Sequence, residues 1–429
     1  GSRSSRLRVA AYACAATVLV AALTAASYEA LQHLGGDQNV VVITDDTASA
    51  RTPGQTVSQA PESTAAIYRG NLERTGVYPS GGPTGPPELL WKSKLPYADR
   101  DDWVPPPSPV ISEGVLYIGA HYSLYAFDAQ SGRQKWEFPT ASWVRTSPAV
   151  AGGVVYFWSE DTYLYALDAR SGQEKWRHLI KGVGCTLAVS DGVVYFGGLG
   201  AFDAQTGQPL WGVEAGVAFS LSIAGDVAYV GCSPYGFSAF MGLYTVDLDG
   251  EQPPSQSSVT RWANSGLDLP LAIRGSVAIV DGVAYYASVY ENSFDAVELR
   301  TLQRKWSFRT GDVHRPDPGL DHGAAIVSPA VAGGLLYGGS EGGPLYALDI
   351  ENGRERWRFA MDITQMSSPA VSGQVLYVGS KDGYLYALNA TTGKQDWSFK
   401  TGDAISTSPA IADGVVYFAS DDGYLYAVR

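Results

Sequence analysis

The sequence predicts an all-β fold, an eight-bladed β-propeller of four-stranded antiparallel blades, and three observations predict it. Residues 368–399, SPAVSGQVLYVGSKDGYLYALNATTGKQDWSF, read as four short strands: Ser368–Val371, Val375–Ser380, Tyr384–Asn389 and Asp396–Phe399. Their apolar residues alternate with small or polar ones, the pattern of strands rather than helices. The unit recurs with a period of about forty residues, which is propeller spacing. Finally, the strands add up to a closed ring only if the first and last parts of the chain share a blade.

The elements follow in order. Lys381-Asp382-Gly383 is a tight turn, because Asp tolerates turn geometry and Gly supplies positive φ without steric strain; Thr391-Thr392-Gly393 closes the next hairpin in the same way. Ser-Pro openings stand at Ser108, Ser147, Ser328, Ser368 and Ser408. The third strand returns as LYAFDA, LYALDA, LYALDI, LYALNA and LYAV, starting at Leu124, Leu164, Leu345, Leu385 and Leu425. A tryptophan marks the fourth strand at Trp91, Trp136, Trp176, Trp211, Trp306, Trp357 and Trp397, with Trp262 a weaker marker.

Units of three strands begin near Ser108, Ser147, Thr186, Ser220, Ser276, Ser328, Ser368 and Ser408, and the sequence stops at Arg429 before the last has its tryptophan strand. The early strand Leu89–Leu95 is the missing piece. It is expected to pair with Tyr424–Val428, leaving no open edge between first and last blade. Seven blades is the alternative if 243–275 does not complete a blade edge. The blade tryptophans are expected to pack between sheets, each burying about 150–250 Å². Gly132, Gly172, Gly207, Gly353 and Gly393 are turn residues rather than a phosphate loop.

Thirty basic against forty-three acidic residues give a net charge of −13. Nucleic acid is excluded as a partner, since phosphate binding needs a basic footprint. Cys14, Cys185 and Cys232 make no disulfide framework. Cys185 and Cys232 fall in neighbouring repeats, so a bridge is open, but two buried thiols suit the pattern better.

The sequence opens without Met, which leaves room for a tag remnant or a preceding segment. Arg3, Arg6 and Arg8 form a basic flank over residues 1–8, before an apolar run over 9–27. That run is long enough for a membrane anchor with its N-terminus in the cytoplasm, placing the propeller outside it. A cleaved secretion signal ending near Thr24-Ala25-Ala26 is the alternative. Residues 28–63 read as a flexible tether and 64–429 as the propeller. The approach from Ala66 to the first strand is irregular and rich in Gly and Pro, and the content of the central channel stays open.

Function is sought where the repeat breaks. In a propeller, the connections between blades and the turns between second and third strands share one face. Insertions at 97–107, 233–242, 265–275 and 309–327 fall on that face, and 249–261 on the other. Insertions on one rim of a repeat fold decorate a binding face. Aromatic residues and Arg are the usual anchors of interfaces. The candidate partner face is therefore Trp103, His121, Tyr122, Trp143, Arg145, Tyr235, Phe237, His314, Asp321 and His322. Asp312, His314, Asp317, Asp321 and His322 form the one His/Asp cluster, but their spacing matches no defined metal site, and Pro316, Pro318 and Gly319 suit a polar loop. No nucleophile elbow, HExxH or phosphate loop is present, so no catalytic residue is assigned.

The repeated unit, with YRGNLERTGVYP and GPPELLWKSKL ahead of it, resembles the PQQ-like (quinoprotein-type) β-propeller superfamily over residues 66–429. Two branches follow from that resemblance. Quinoprotein dehydrogenases hold pyrroloquinoline quinone and Ca²⁺ and oxidise alcohols or sugars. BamB-like assembly lipoproteins, and the extracytoplasmic sensor propellers of some bacterial membrane kinases, use the fold without a cofactor. This chain has no adjacent cysteine pair, and no Glu, Asn and Asp set can be carried over for calcium and base. It also lacks a lipid-attachment box. The resemblance therefore implies the non-catalytic branch: a membrane-tethered scaffold or sensor without cofactor or metal, binding a protein or cell-envelope ligand, the sensor reading being the outer part of a receptor Ser/Thr kinase. The alternative is a PQQ-dependent dehydrogenase.

Overall fold

Eight four-stranded antiparallel sheets, one per repeat, form the ring. The computed structural model describes residues 66, 68–96, 104–180, 186–197, 200–212, 218–232, 242–248, 259–261, 273, 275–288, 291–301, 303–310, 328–339, 343–361 and 367–429. The innermost strands of blades 1 to 8 are Val110–Ser112, Ala149–Ala151, Leu187–Ser190, Ala218–Ala224, Ala278–Val280, Ala330–Ala332, Ala370–Ser372 and Ala410–Ala412. Each touches the next, and the eighth touches the first, which closes the circle around a central channel. In every Ser-Pro repeat the strand starts just after the proline, which has no N–H to give to a ladder.

Closure follows the sequence expectation. Leu89–Lys94 is the outer strand of blade 8 and pairs antiparallel with Tyr424–Val428, with Lys94 opposite Tyr424 and Leu89 opposite Val428. Blade 4 is completed by Val259–Arg261, which corrects one expectation: the insertion assigned to 249–261 gives its last three residues to the outer strand. Gly242, assigned to the 233–242 insertion, begins the third strand of that blade. Trp262 lies outside the described residues, as do Cys14 and Cys185, the 9–27 segment and residues 28–63. The described residues contain no helix long and apolar enough to cross a membrane.

The blades are joined by one repeated contact. Among the described residues, five outer-strand tryptophans, Trp91, Trp136, Trp176, Trp306 and Trp357, lie against the next blade and donate the indole N–H to a carbonyl of that blade's last hairpin. Trp91 bonds Ala129 at 2.9 Å, Trp136 bonds Ala169 at 3.1 Å, Trp176 bonds Ala204 at 3.0 Å and Trp357 bonds Ala390 at 3.0 Å. The hairpin glycine is required. Gly172 has φ +71°, and a Cβ on it would lie 2.7 Å from the Trp136 ring. Asp128 and Asp168 cap these hairpins by accepting the N–H and hydroxyl of Ser131 and Ser171, bonds that hold both carboxyls below their usual range.

Residues 66 and 68–83 fill the channel. Their backbone and side chains bond the inner strands of seven of the eight blades, blades 2 to 8, through Val150, Leu187, Ile223, Ile279, Val331, Val371 and Ile411. The segment leaves at the turn end of the channel, where Gly81 accepts the N–H of Gly414. Blade 8 has no last hairpin to receive Trp397. The departing segment takes that place, with the Pro83 carbonyl accepting both Trp397 Nε1 at 3.3 Å and the Tyr377 hydroxyl at 2.8 Å. Plug and ring closure are thus one continuous piece of chain.

Candidate functional site

The face carrying the inter-blade connections holds a compact aromatic cluster at blades 1 and 2. His121 and Tyr122 form the turn between the second and third strands of blade 1. Trp143 and Arg145 lie in the connection to blade 2. Backbone bonds lock the two loops together: Val144 N–H to His121 O at 2.8 Å and Thr140 N–H to Tyr122 O at 2.7 Å. His121 takes a left-handed φ of 54°, a conformation in which His is over-represented among non-glycine residues.

The rings converge. Centroids of His121 and Tyr122 are 3.9 Å apart, His121 and Trp143 4.6 Å, and Tyr122 and Trp143 5.2 Å in an edge arrangement. The Arg145 guanidinium lies 4.8 Å above Trp143, and its Nε meets Glu160 Oε1 at 2.5 Å. Both side chains of that pair are well exposed, so it contributes about 1 kcal/mol or less. The cation–π contact adds about 0.5–1 kcal/mol. His121 is buried beneath the group while Tyr122 stays exposed, a rare large hydrophobic at the surface. Chemically the cluster can stack and hydrogen-bond a partner.

Four of the sequence-selected residues, His121, Tyr122, Trp143 and Arg145, are therefore brought together. Trp103, Tyr235, Phe237, His314, Asp321 and His322 lie outside the described residues, as do Asp312 and Asp317. Among the described residues no group of three His, Cys, Asp or Glu could hold a metal. Sequence reasoning missed Glu160, which buttresses Arg145 and carried no signal of its own. It also missed two features of the channel mouth. The first is a girdle of serines: Ser276 N–H bonds Ser328 Oγ at 2.8 Å, Ser328 N–H bonds Ser368 Oγ at 3.1 Å, Ser368 N–H bonds Ser408 Oγ at 2.9 Å, and Ser408 N–H bonds Ser108 Oγ at 2.9 Å. Four of the five Ser-Pro serines, Ser108, Ser328, Ser368 and Ser408, thus link their blades to a neighbour. The second is the pair Tyr68 and Arg69, which reaches this girdle from the plug, with Arg74 bonding the Tyr68 carbonyl.

The quinone and calcium pair implied by one branch of the resemblance does not fit the channel between the inner strands. Residues 66–83 already fill it, so a planar three-ring group would have to displace the segment that closes the ring. No step is derived through it.

Comparison with known proteins agrees with this architecture. The family described as outer membrane protein assembly factor BamB, a PQQ-repeat family, matches residues 84–218, 195–362 and 291–429. The chain belongs to this family. Among curated relatives, the serine/threonine-protein kinase AfsK of Streptomyces griseus is 30% identical over 265 residues, covering 59% of this chain and 30% of the kinase. AfsK of Streptomyces coelicolor is 30% identical over 331 residues, 65% of this chain and 37% of the kinase. The chain thus spans about a third of the length of these relatives. Among solved structures, the quinohemoprotein alcohol dehydrogenase ADHIIG of Pseudomonas putida HK5 superposes with a TM-score of 0.68 at 15% identity, over 85% of this chain and 80% of that one. The quinohemoprotein alcohol dehydrogenase of Comamonas testosteroni gives 0.64 at 15% identity with the same coverage. The designed protein Ika8 gives 0.58 at 15% identity, over 79% of this chain and 98% of its own. At such identities these likenesses describe the fold alone.

Proposed function

We propose that this propeller is a non-catalytic recognition module, tethered to a membrane by residues 9–27 and held outside the cytoplasm, that binds a protein or cell-envelope ligand on its inter-blade face. The observation that carries the reading is the surface cluster of exposed Tyr122 and Arg145 around half-buried Trp143, with Glu160 holding the arginine over the indole. Aromatic residues and Arg concentrated on one face are the chemistry of an interface anchor. A hydrolytic or redox site would instead need a nucleophile, metal set or cofactor slot. The two AfsK relatives support a further step: the propeller is the sensing part of a kinase-linked protein.

Site-specific photo-crosslinking in the full chain tests this in its native membranes. A photoreactive residue at Tyr122 is expected to give a discrete adduct that disappears when Trp143→Ala is added. The same residue at Gly152, on the opposite face, is expected to give none. Equal adducts from both faces, or an adduct indifferent to Trp143→Ala, would refute the interface.

A further inference from the structure

Two arginines sit inside the channel of an acidic protein, and among the described residues no acid meets them. Arg69 is 2% and Arg74 0% exposed. Among the described residues their acceptors are all backbone carbonyls. Arg69 donates to Pro369 at 2.9 Å and to Pro329; Arg74 donates to Leu221 at 3.0 Å, to Tyr68 and to Leu187. Each guanidinium has five N–H donors, so these bonds use about half of the ten. Arg69 Nε is buried with no acceptor among the described residues. Among the described residues no carboxylate contributes to the electrostatics of either group. The charges that bear on them are the phenols of Tyr68 and Tyr78 and, for Arg74, the other guanidinium, which opposes it.

Isolated buried charge is expensive, several kcal/mol per ion even after relaxation, and carbonyl dipoles offset only part of it. Lysine could shed its proton under such conditions. Arginine does not, since burial brings Arg74 only to about 10 and it stays charged at neutral pH. A pair of like charges left in this state calls for an anion.

The surroundings say where. The carbonyls gripped by Arg69 belong to Pro329 and Pro369, the residues directly after Ser328 and Ser368, so the guanidinium lies at the serine girdle. At the same girdle the Tyr68 hydroxyl stands 3.5 Å from Ser368 Oγ and 3.3 Å from Ser408 Oγ. Burial raises the Tyr68 phenol, but the Arg69 charge and the serine hydroxyls outweigh it and hold it below its usual value, which marks a site favouring negative charge. The room is small: a Cβ on Gly76 would lie 2.6 Å from the Arg69 head.

We propose that the channel mouth binds one small anion, anchored by the Arg69 guanidinium and by the hydroxyls of Tyr68, Ser328 and Ser368. The ligand is of halide, carboxylate or phosphate size, and the site is independent of the aromatic cluster on the rim. Bound there, the anion ties the plug to blades 6 and 7.

The experiment uses the full chain, exchanged into the sodium salt of a bulky sulfonate buffer and titrated separately with chloride, acetate and phosphate at constant ionic strength. Melting temperature and the chloride-35 NMR linewidth are read. At a hundredfold excess over Kd the preferred anion is expected to raise the melting temperature by about 3 °C, saturably. If chloride is preferred, its linewidth shows a saturable excess; if an oxyanion is, that oxyanion narrows the chloride line by competition. Tyr68→Phe keeps the ring and the charge and is expected to weaken binding about tenfold, the loss of one hydrogen bond to a charged ligand. Arg69→Lys, which keeps a charge but removes Nε, is expected to weaken it further; if it does not fold, Tyr68→Phe decides. A melting temperature indifferent to anion identity, or a saturable response unchanged by Tyr68→Phe, would overturn the proposal.

Discussion

The interface between blades 1 and 2 and the interface between blades 2 and 3 are alike in one half and unlike in the other. In the half near the hairpin turns they match: Trp136 bonds Ala169, Trp176 bonds Ala204, and each indole lies on the next blade's glycine. In the half near the inter-blade face they differ. Between blades 1 and 2, Phe138 meets Tyr165 edge-on at 5.4 Å, and the Tyr165 hydroxyl bonds Asp161 at 2.8 Å. Between blades 2 and 3 the phenylalanine is His178, the tyrosine is Gly200, and the imidazole packs on Phe202 at 5.0 Å. Blade 5 departs in the same half, where Asp295 replaces the tyrosine and bonds Arg304 at 3.2 Å, with Glu291 bonding the same arginine at 2.9 Å. One half of every blade is constrained by ring closure, and the other is free to vary with what the face binds.

The comparison makes graded predictions. The largest effect belongs to the repeated half: Trp136→Ala is expected to lower stability by about 3–5 kcal/mol in chemical denaturation, by leaving a cavity and removing one of the two bonds to the Ala169 carbonyl, the other coming from the Tyr117 hydroxyl. Gly172→Ala strikes the same contact from the other side. It forces a side chain into a left-handed φ and against the indole, and a loss of about 2 kcal/mol is expected. A loss under about 0.5 kcal/mol for both would show that the two halves are not distinct.

The variable half should be softer. Tyr165→Phe removes one hydrogen bond while keeping the ring, so about 1 kcal/mol is expected from the same denaturation curves. The smallest effect concerns pH. Burial pushes the His178 imidazole below its usual value, so the unfolded chain takes up that proton first. Stability is therefore complete above about pH 6.5, falls as pH drops below that value, and levels off once the folded-state pKa is passed. His178→Phe, which restores the residue that blade 1 and blades 5 to 7 carry there as Phe138, Phe308, Phe359 and Phe399, should flatten this part of the melting-temperature profile. An unchanged slope would remove His178 from the account.

What the sequence made legible follows from where each partner lies. Closure was readable because the tryptophan strand at Trp91 and the incomplete last repeat are two visible halves of one pattern. The rim cluster was half readable. His121, Tyr122, Trp143 and Arg145 stand where the topology places that face, but Glu160, in a turn of blade 2, looks like any exposed acid until the connection from blade 1 is beside it. The plug was not readable. Residues 66–83 have no period, and their meaning comes from inner strands up to 331 residues away, as between Ser80 and Ile411. The serines were seen as strand openings, whereas their hydroxyls act across blades; that partner is invisible along one repeat.

The central claim is that this ring is a binding scaffold whose channel is filled by its own chain. Calorimetric titration of the full chain with pyrroloquinoline quinone, with and without Ca²⁺, tests it most directly. The account predicts no saturable heat in either case. Calcium-dependent binding at about micromolar Kd would contradict it, because the quinone could enter only by displacing residues 66–83, and the search would then turn to alcohol oxidation.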